Sequence, residues 1–188
     1  MKDAIRTFVA VDVPQPIKME LDKLIGELRP FAPDIRWVKA ANLHITLRFL
    51  GDIPQSSVSG LVSEIAKNSS DFKSFHLSLA GIGGFPNLHK PRVIWLGGGD
   101  GQDSLHVLAL RVEKACIACG FGNADKPFSS HLTIGRVKYP KGNERLVSYI
   151  QHLNYTSPTF PVKEVIVFKS DLMPSGPKYT RLETVSLK

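Results

Sequence analysis

The sequence predicts an α+β protein of two similar lobes related by an internal pseudo-two-fold repeat, each a mostly antiparallel sheet with helices on its outer face and a cleft between them. Two observations predict it. Strand-like and helical patterns recur in one order in each half, strand, helix, strand, helix, strand, with one closing strand at the end. A His-x-Thr triplet also falls on the matching strand of each half, HIT at 44–46 and HLT at 131–133. The offset, 131 − 44 = 87, is about half of the 188 residues, as a duplicated unit requires.

Alternating β-branched and aromatic residues mark strands at 6–13, 43–50, 75–82, 92–96, 131–138, 163–169 and 179–187. Helices are expected at 14–28, where Ile17, Leu21, Leu24, Ile25 and Leu28 keep helical spacing, and at 56–67, 105–119 and 144–152. The seam of the repeat is placed near 87–91, where Gly83, Gly84, Pro86 and Pro91 punctuate the chain. The glycine-rich run 97–101 lacks the Lys-Ser/Thr of a phosphate-binding loop and is read as the turn before the third helix.

The chain, residues 1–188, is long enough to fold as a single bilobal domain without disulfides or metals, and no low-complexity run or block of like charge interrupts it. A formal charge of +7 and a pI near 9.5 fit a polyanionic partner such as nucleic acid, or else a merely basic surface. Asp12 cuts the first apolar run too short for a signal peptide, and no later stretch is long enough to span a bilayer. A cytoplasmic monomer without a membrane partner is therefore expected. Cys116 and Cys119 form a CxxC without a second pair, on a segment with core-facing helical spacing, and are read as buried thiols rather than as a metal or redox site.

On a strand, residues two apart share a face, so His44 points with Thr46 while Leu43, Ile45 and Leu47 point to the core. His131 and Thr133 repeat this around Leu132. With 6 His and 7 Thr in 188 residues, chance supplies roughly 0.2 such triplets, and two occur at matching places. His76 with Ser78 is a near miss, read as a solvent-facing pair. Imidazole ionises in the neutral range and can accept or donate a proton, and a threonine hydroxyl can donate to a phosphoryl oxygen. Two histidines without a third ligand at metal spacing, among basic neighbours, make a poor cation trap.

At these motifs the sequence resembles the two-histidine phosphoesterase superfamily, and within it the RNA 2′,3′-cyclic phosphodiesterases, also called the 2′-5′ RNA ligase family. The likeness covers nearly the whole chain. It rests on TFVAVDVP, NLHITLRFLGD, GIGGFPN with PRVIWLGG, PFSSHLTIGRV and FKSDLMPSGPKYT. Ser130 departs from it, standing where the family often carries Pro. The resemblance implies His44 as proton donor, His131 as proton acceptor, phosphate contacts from Thr46 and Thr133, and a product bearing a 2′-phosphate. It also implies that Arg136 and Phe49 grip the terminal phosphate or nucleobase.

Strict alternation puts Arg136 and Phe49 on the core face instead. Gly135 can supply a bulge that re-aims Arg136, whereas Phe49 has no such device and could equally be core. Arg48 shares the face of His44, as a substrate contact or a solvated neighbour. Trp37, among Arg36 and Lys39, is either a base-stacking platform or a core residue.

The implied reaction is in-line attack of water on the cyclic phosphate of an RNA end, with no metal, nucleotide or organic cofactor. The same residues could run it backwards, joining the cyclic end to a 5′-hydroxyl. An RNA-binding module without turnover is the rival from another class. Lysine or arginine would serve such a module better than paired histidines, since they stay charged at neutral pH.

Overall fold

A computed structural model describes residues 3–139, 143–174 and 176–188. Its first sheet pairs β1 (Ala4–Asp12) with β3 (His44–Pro54) on one side and with β9 (Glu164–Met173) on the other. β10 (Gly176–Ser186) closes the far edge, and all pairings are antiparallel. The second sheet runs β2 (Ile35–Trp37), β7 (His131–Val137), β6 (Val93–Gly98) and β5 (Leu79–Phe85), again antiparallel. A short ribbon pairs β4 (Phe75–Leu77) with β8 (Phe160–Val162). The sheets approach each other along β3 and β7, the two strands that begin with the motif histidines.

The helices follow their apolar spacing. α1 (Gln15–Leu28) buries Ile17, Leu21, Leu24, Ile25 and Leu28 along one stripe. α2 (Val58–Asn68) buries Leu61 and Ile65, and α4 (Glu144–His152) buries Leu146, Val147 and Ile150. α3 (Gln102–Ala118) buries six residues from Leu105 to Cys116, which seals that thiol in the core and pushes it up to about 12. Cys119 is partly exposed and also raised by burial. α3 starts after Gly101, whose φ of +79° suits glycine and whose missing Cβ makes room for the His76 carbonyl.

Residues 87–91, where the seam was expected, lie in the hairpin that joins β5 to β6 inside one sheet. β2 and β5 come from the first half yet pair in the second sheet, and β9 and β10 cross over to the first. Periodicity identifies segments that form strands, but partners are chosen by which edges and faces remain to be covered. One cluster of buried residues accordingly runs through both sheets, from Val9 and Ile45 to Ile94, Leu132 and Val165. The strand expected at 75–82 breaks at Ser78, which is buried rather than solvent-facing. Its N–H donates to the Asp100 carbonyl at 3.0 Å and its Oγ accepts from the Asp100 N–H at 2.9 Å.

Candidate active site

Each motif strand carries a β-bulge just after its threonine. On β3, Thr46 lies opposite Ala10 and Arg48 opposite Val9, so Leu47 is an extra residue. On β7, Thr133 lies opposite Trp95 and Gly135 opposite Ile94, so Ile134 is the extra one. A bulge shifts every later side chain to the other face. Phe49 and Arg136, five residues after their histidines, therefore turn to the face of His44–Thr46 and His131–Thr133. Phe49 is 48% exposed, and Arg136 is exposed as well.

This decides the alternation conflict for both residues. The bulge expected at Gly135 sits one residue earlier, and β3 holds the matching device that was not anticipated for Phe49. The same flip carries Arg48 away from His44 and into the core, 7% exposed. There its Nη2–H donates to the Gly122 carbonyl at 3.0 Å, and its guanidinium pairs with Glu113 at 3.3 Å. Trp37 packs on the core side, where its ring and Ile35 flank the space a Gly135 Cβ would fill. Of the two alternatives for Trp37, the core one describes its position.

The histidines are held alike. Nδ1–H of His44 donates to the Asn42 carbonyl at 2.7 Å, and Nδ1–H of His131 donates to the Ser129 carbonyl at 2.8 Å. Using Nδ1 as the donor in both rings is an assignment that the carbonyl acceptors dictate. In the neutral rings it leaves each Nε2 as an acceptor, and that of His44 takes the Thr46 hydroxyl at 3.0 Å.

Around His44 stand residues that the motif does not reveal. Phe8 lies 4.8 Å from its ring and Tyr179 meets it edge-on at 5.1 Å, while Phe168 backs Phe8 at 5.2 Å. Asp12 is paired with His44 across the strands and binds Lys18 at 2.6 Å. With Asn42, Phe168, Tyr179 and Arg181, Asp12 and His44 line a cavity of about 160 Å³. Burial pushes the His44 imidazole below its usual range, the Asn42 carbonyl and the Asp12 carboxylate oppose this, and the Lys18 and Arg136 charges add to it. Burial raises the Tyr179 phenol, and Arg136 and Arg6 pull it back. Both guanidiniums thus face this end of the cleft, Arg6 lying 4.6 Å over the Phe49 ring. On the second sheet Phe85 stands edge-on to His131 at 5.1 Å and 5.2 Å from Trp95, whose ring lies across Gly83.

Asp12, Tyr179 and Arg6 could not be singled out from the sequence, because only the fold brings the first two to His44 and Arg6 to Phe49. Among the described residues no group of three His, Cys, Asp or Glu is placed to hold a metal ion, and no helix is long and apolar enough to cross a membrane.

Known proteins resemble this chain in both of its halves. The sequence model described as "LigT like Phosphoesterase" matches residues 11–95 and 98–179. The second match starts 98 − 11 = 87 residues after the first, the spacing of the two histidines. An RNA 2′,3′-cyclic phosphodiesterase of Archaeoglobus fulgidus is 35% identical over 181 residues, covering 95% of this chain and 98% of its own. One of Methanothermobacter thermautotrophicus is 29% identical over 184 residues, covering 97% and 99%. Among solved structures, E. coli LigT complexed with 3′-AMP superposes with a TM-score of 0.79 over 98% of both chains at 24% identity, a likeness of fold. TT0787 of Thermus thermophilus gives 0.71 at 28% identity, covering 97% of this chain and 98% of its own. Matched in both halves and along nearly its full length, the chain belongs to the LigT-like phosphoesterase family.

Proposed function

We propose that this cleft hydrolyses the 2′,3′-cyclic phosphate at the end of an RNA strand and leaves a 2′-phosphate. The observation that carries the proposal is the matched pair of imidazoles, each tied through Nδ1 to a carbonyl two residues earlier. Near-full-length similarity to proteins named RNA 2′,3′-cyclic phosphodiesterase supports the substrate.

In the proposed reaction neutral His131 accepts a proton from water at Nε2 as the water attacks phosphorus. Imidazolium His44 delivers its Nε2 proton to the departing O3′. The P–O3′ bond breaks as the P–O bond to water forms, so the oxygens exchange in line and the 2′ ester survives. Thr46, Thr133 and Arg136 donate to the phosphoryl oxygens, which gain charge in the transition state. Thr46 now bonds to His44, and arrival of the phosphate would free its hydroxyl for that purpose. Burial disfavours the imidazolium form of His44, and the anionic substrate would supply the field that favours it. Phe49 offers an exposed ring for the terminal base.

The test is to incubate the protein with an RNA ending in a 2′,3′-cyclic phosphate and to locate the phosphate in the product. A 2′-phosphate is expected. A sole 3′-phosphate would reverse the placement of donor and sugar, and an intact cyclic end would overturn the activity.

A further inference from the structure

We propose that Arg36, set beside Arg136, forms a second phosphate subsite, which binds the phosphodiester preceding the cyclic end and makes the protein prefer oligonucleotides to mononucleotides. This rests on the proposed activity and names its substrate class more closely.

Arg36 and Arg136 are directly opposed on the antiparallel pair β2–β7. Opposed residues share a sheet face with Cβ atoms about 4.5–5.5 Å apart, and like charges so placed repel. On either side of this pair, Ile35, Trp37 and Gly135 mark the core face, so both arginines stand on the opposite face, that of the cleft. Both are exposed, and among the described residues neither forms an ion pair, although Asp34 is also exposed two residues before Arg36. A sheet edge that sets two guanidiniums side by side without a carboxylate accepts a repulsion that a bound anion would relieve.

Geometry divides the work between them. Arg136 lies on the strand of His131 and Thr133, and its charge is felt at His44 and Tyr179. It therefore addresses the reacting phosphate. Arg36 is one strand further out, on the edge of the sheet and beside Arg136. Planar guanidinium forks bind phosphate oxygens in pairs, and the next anion on a strand entering the cleft is the preceding phosphodiester. A mononucleotide lacks it.

The experiment compares kcat/KM for adenosine 2′,3′-cyclic phosphate and for a trinucleotide ending in the same group, using the full chain and its Arg36→Gln, Arg36→Lys and Lys114→Gln variants. Lys114 is an exposed cation on α3 and controls for loss of charge elsewhere. Native protein should prefer the trinucleotide by about tenfold or more, the scale of a charged hydrogen-bonded contact. Arg36→Gln should bring that ratio near unity and flatten the salt dependence by about one phosphate contact. Arg36→Lys should retain part of the ratio, and Lys114→Gln all of it. The melting temperature of Arg36→Gln should match or exceed the native value, since a repulsion is removed.

A ratio that survives Arg36→Gln, or falls equally in Lys114→Gln, overturns the subsite. So does a marked fall in melting temperature, which would make Arg36 structural. Equal turnover of both substrates by the native protein would remove the subsite and leave the activity standing. Turnover of neither would remove the activity itself.

Discussion

Replacing Glu113 by Gln should damage the site from a distance, because Glu113 and Arg48 hold the segment that delivers His131. Arg48 is 7% exposed, and its contacts are Glu113 at 3.3 Å and the Gly122 carbonyl at 3.0 Å. The other oxygen of Glu113 accepts the Ala124 N–H at 2.6 Å. The pair thus pins residues 122–124 of the connection from α3 to β7, whose Ser129 carbonyl orients His131.

At 3.3 Å and an effective dielectric near 20 the gross attraction is about 5 kcal/mol. Its loss is partly offset by solvent at Glu113, which is 23% exposed. Glu113→Gln strands a buried cation and should cost about 2–3 kcal/mol, or about 4–12 °C in Tm for a chain of this length. Arg48→Met leaves a carboxylate that keeps water and the Ala124 N–H, and should cost less, about 1–2 kcal/mol. The double variant should cost less than the sum of the singles. Denaturant unfolding gives the stabilities, and kcat on a cyclic-ended RNA should fall roughly tenfold to a hundredfold as His131 loses its alignment. Equal, negligible effects of both single variants, with kcat unchanged, would refute the pinning role.

Asp12→Asn removes a carboxylate that raises His44 and leaves the Lys18 and Arg181 cations beside it, so the His44 pKa should fall further. Since His44 is proposed to act protonated, the alkaline limb of the pH profile of kcat/KM should move to lower pH, and an unmoved limb would contradict that role. Gly83→Ala places a methyl group inside the Trp95 ring, which contacts Phe85 and through it His131. Stability should fall by about 1–3 kcal/mol and turnover with it, as thermal melts and kcat would record. Activity should persist in EDTA, and loss reversed by a divalent ion would indicate a metal-dependent reaction.

Much of the fold was legible because each half of the sequence repeats one local pattern, and the helix at 144–152 and the strand starting at His131 fall where their spacing puts them. Partnership was not legible. β2 has only three residues, too few for alternation to register, yet it brings Arg36 to Arg136. His44, Thr46, His131 and Thr133 could be singled out from their spacing, and the structure places each pair on one strand face, since two residues suffice to define that face. Phe49 and Arg48 exchanged their expected places because one bulged residue, Leu47, inverts the positions after it until a second register shift at Leu50. The glycine at 135 hinted at the matching bulge on β7, but Leu47 gives no such hint, as any residue can occupy a bulge that does not need positive φ.

The central claim is that His44 and His131 act together in one transition state, and a double-mutant cycle tests it directly. His44→Ala, His131→Ala and the double variant are compared by single-turnover hydrolysis of an RNA with a 2′,3′-cyclic end, after confirming that each folds and binds RNA. Paired acid–base action predicts that each single variant loses nearly all activity, at least about 10²-fold, and that the double is about as poor as the worse single. Turnover near the native rate in either single variant, or fully additive losses in the double, would contradict it.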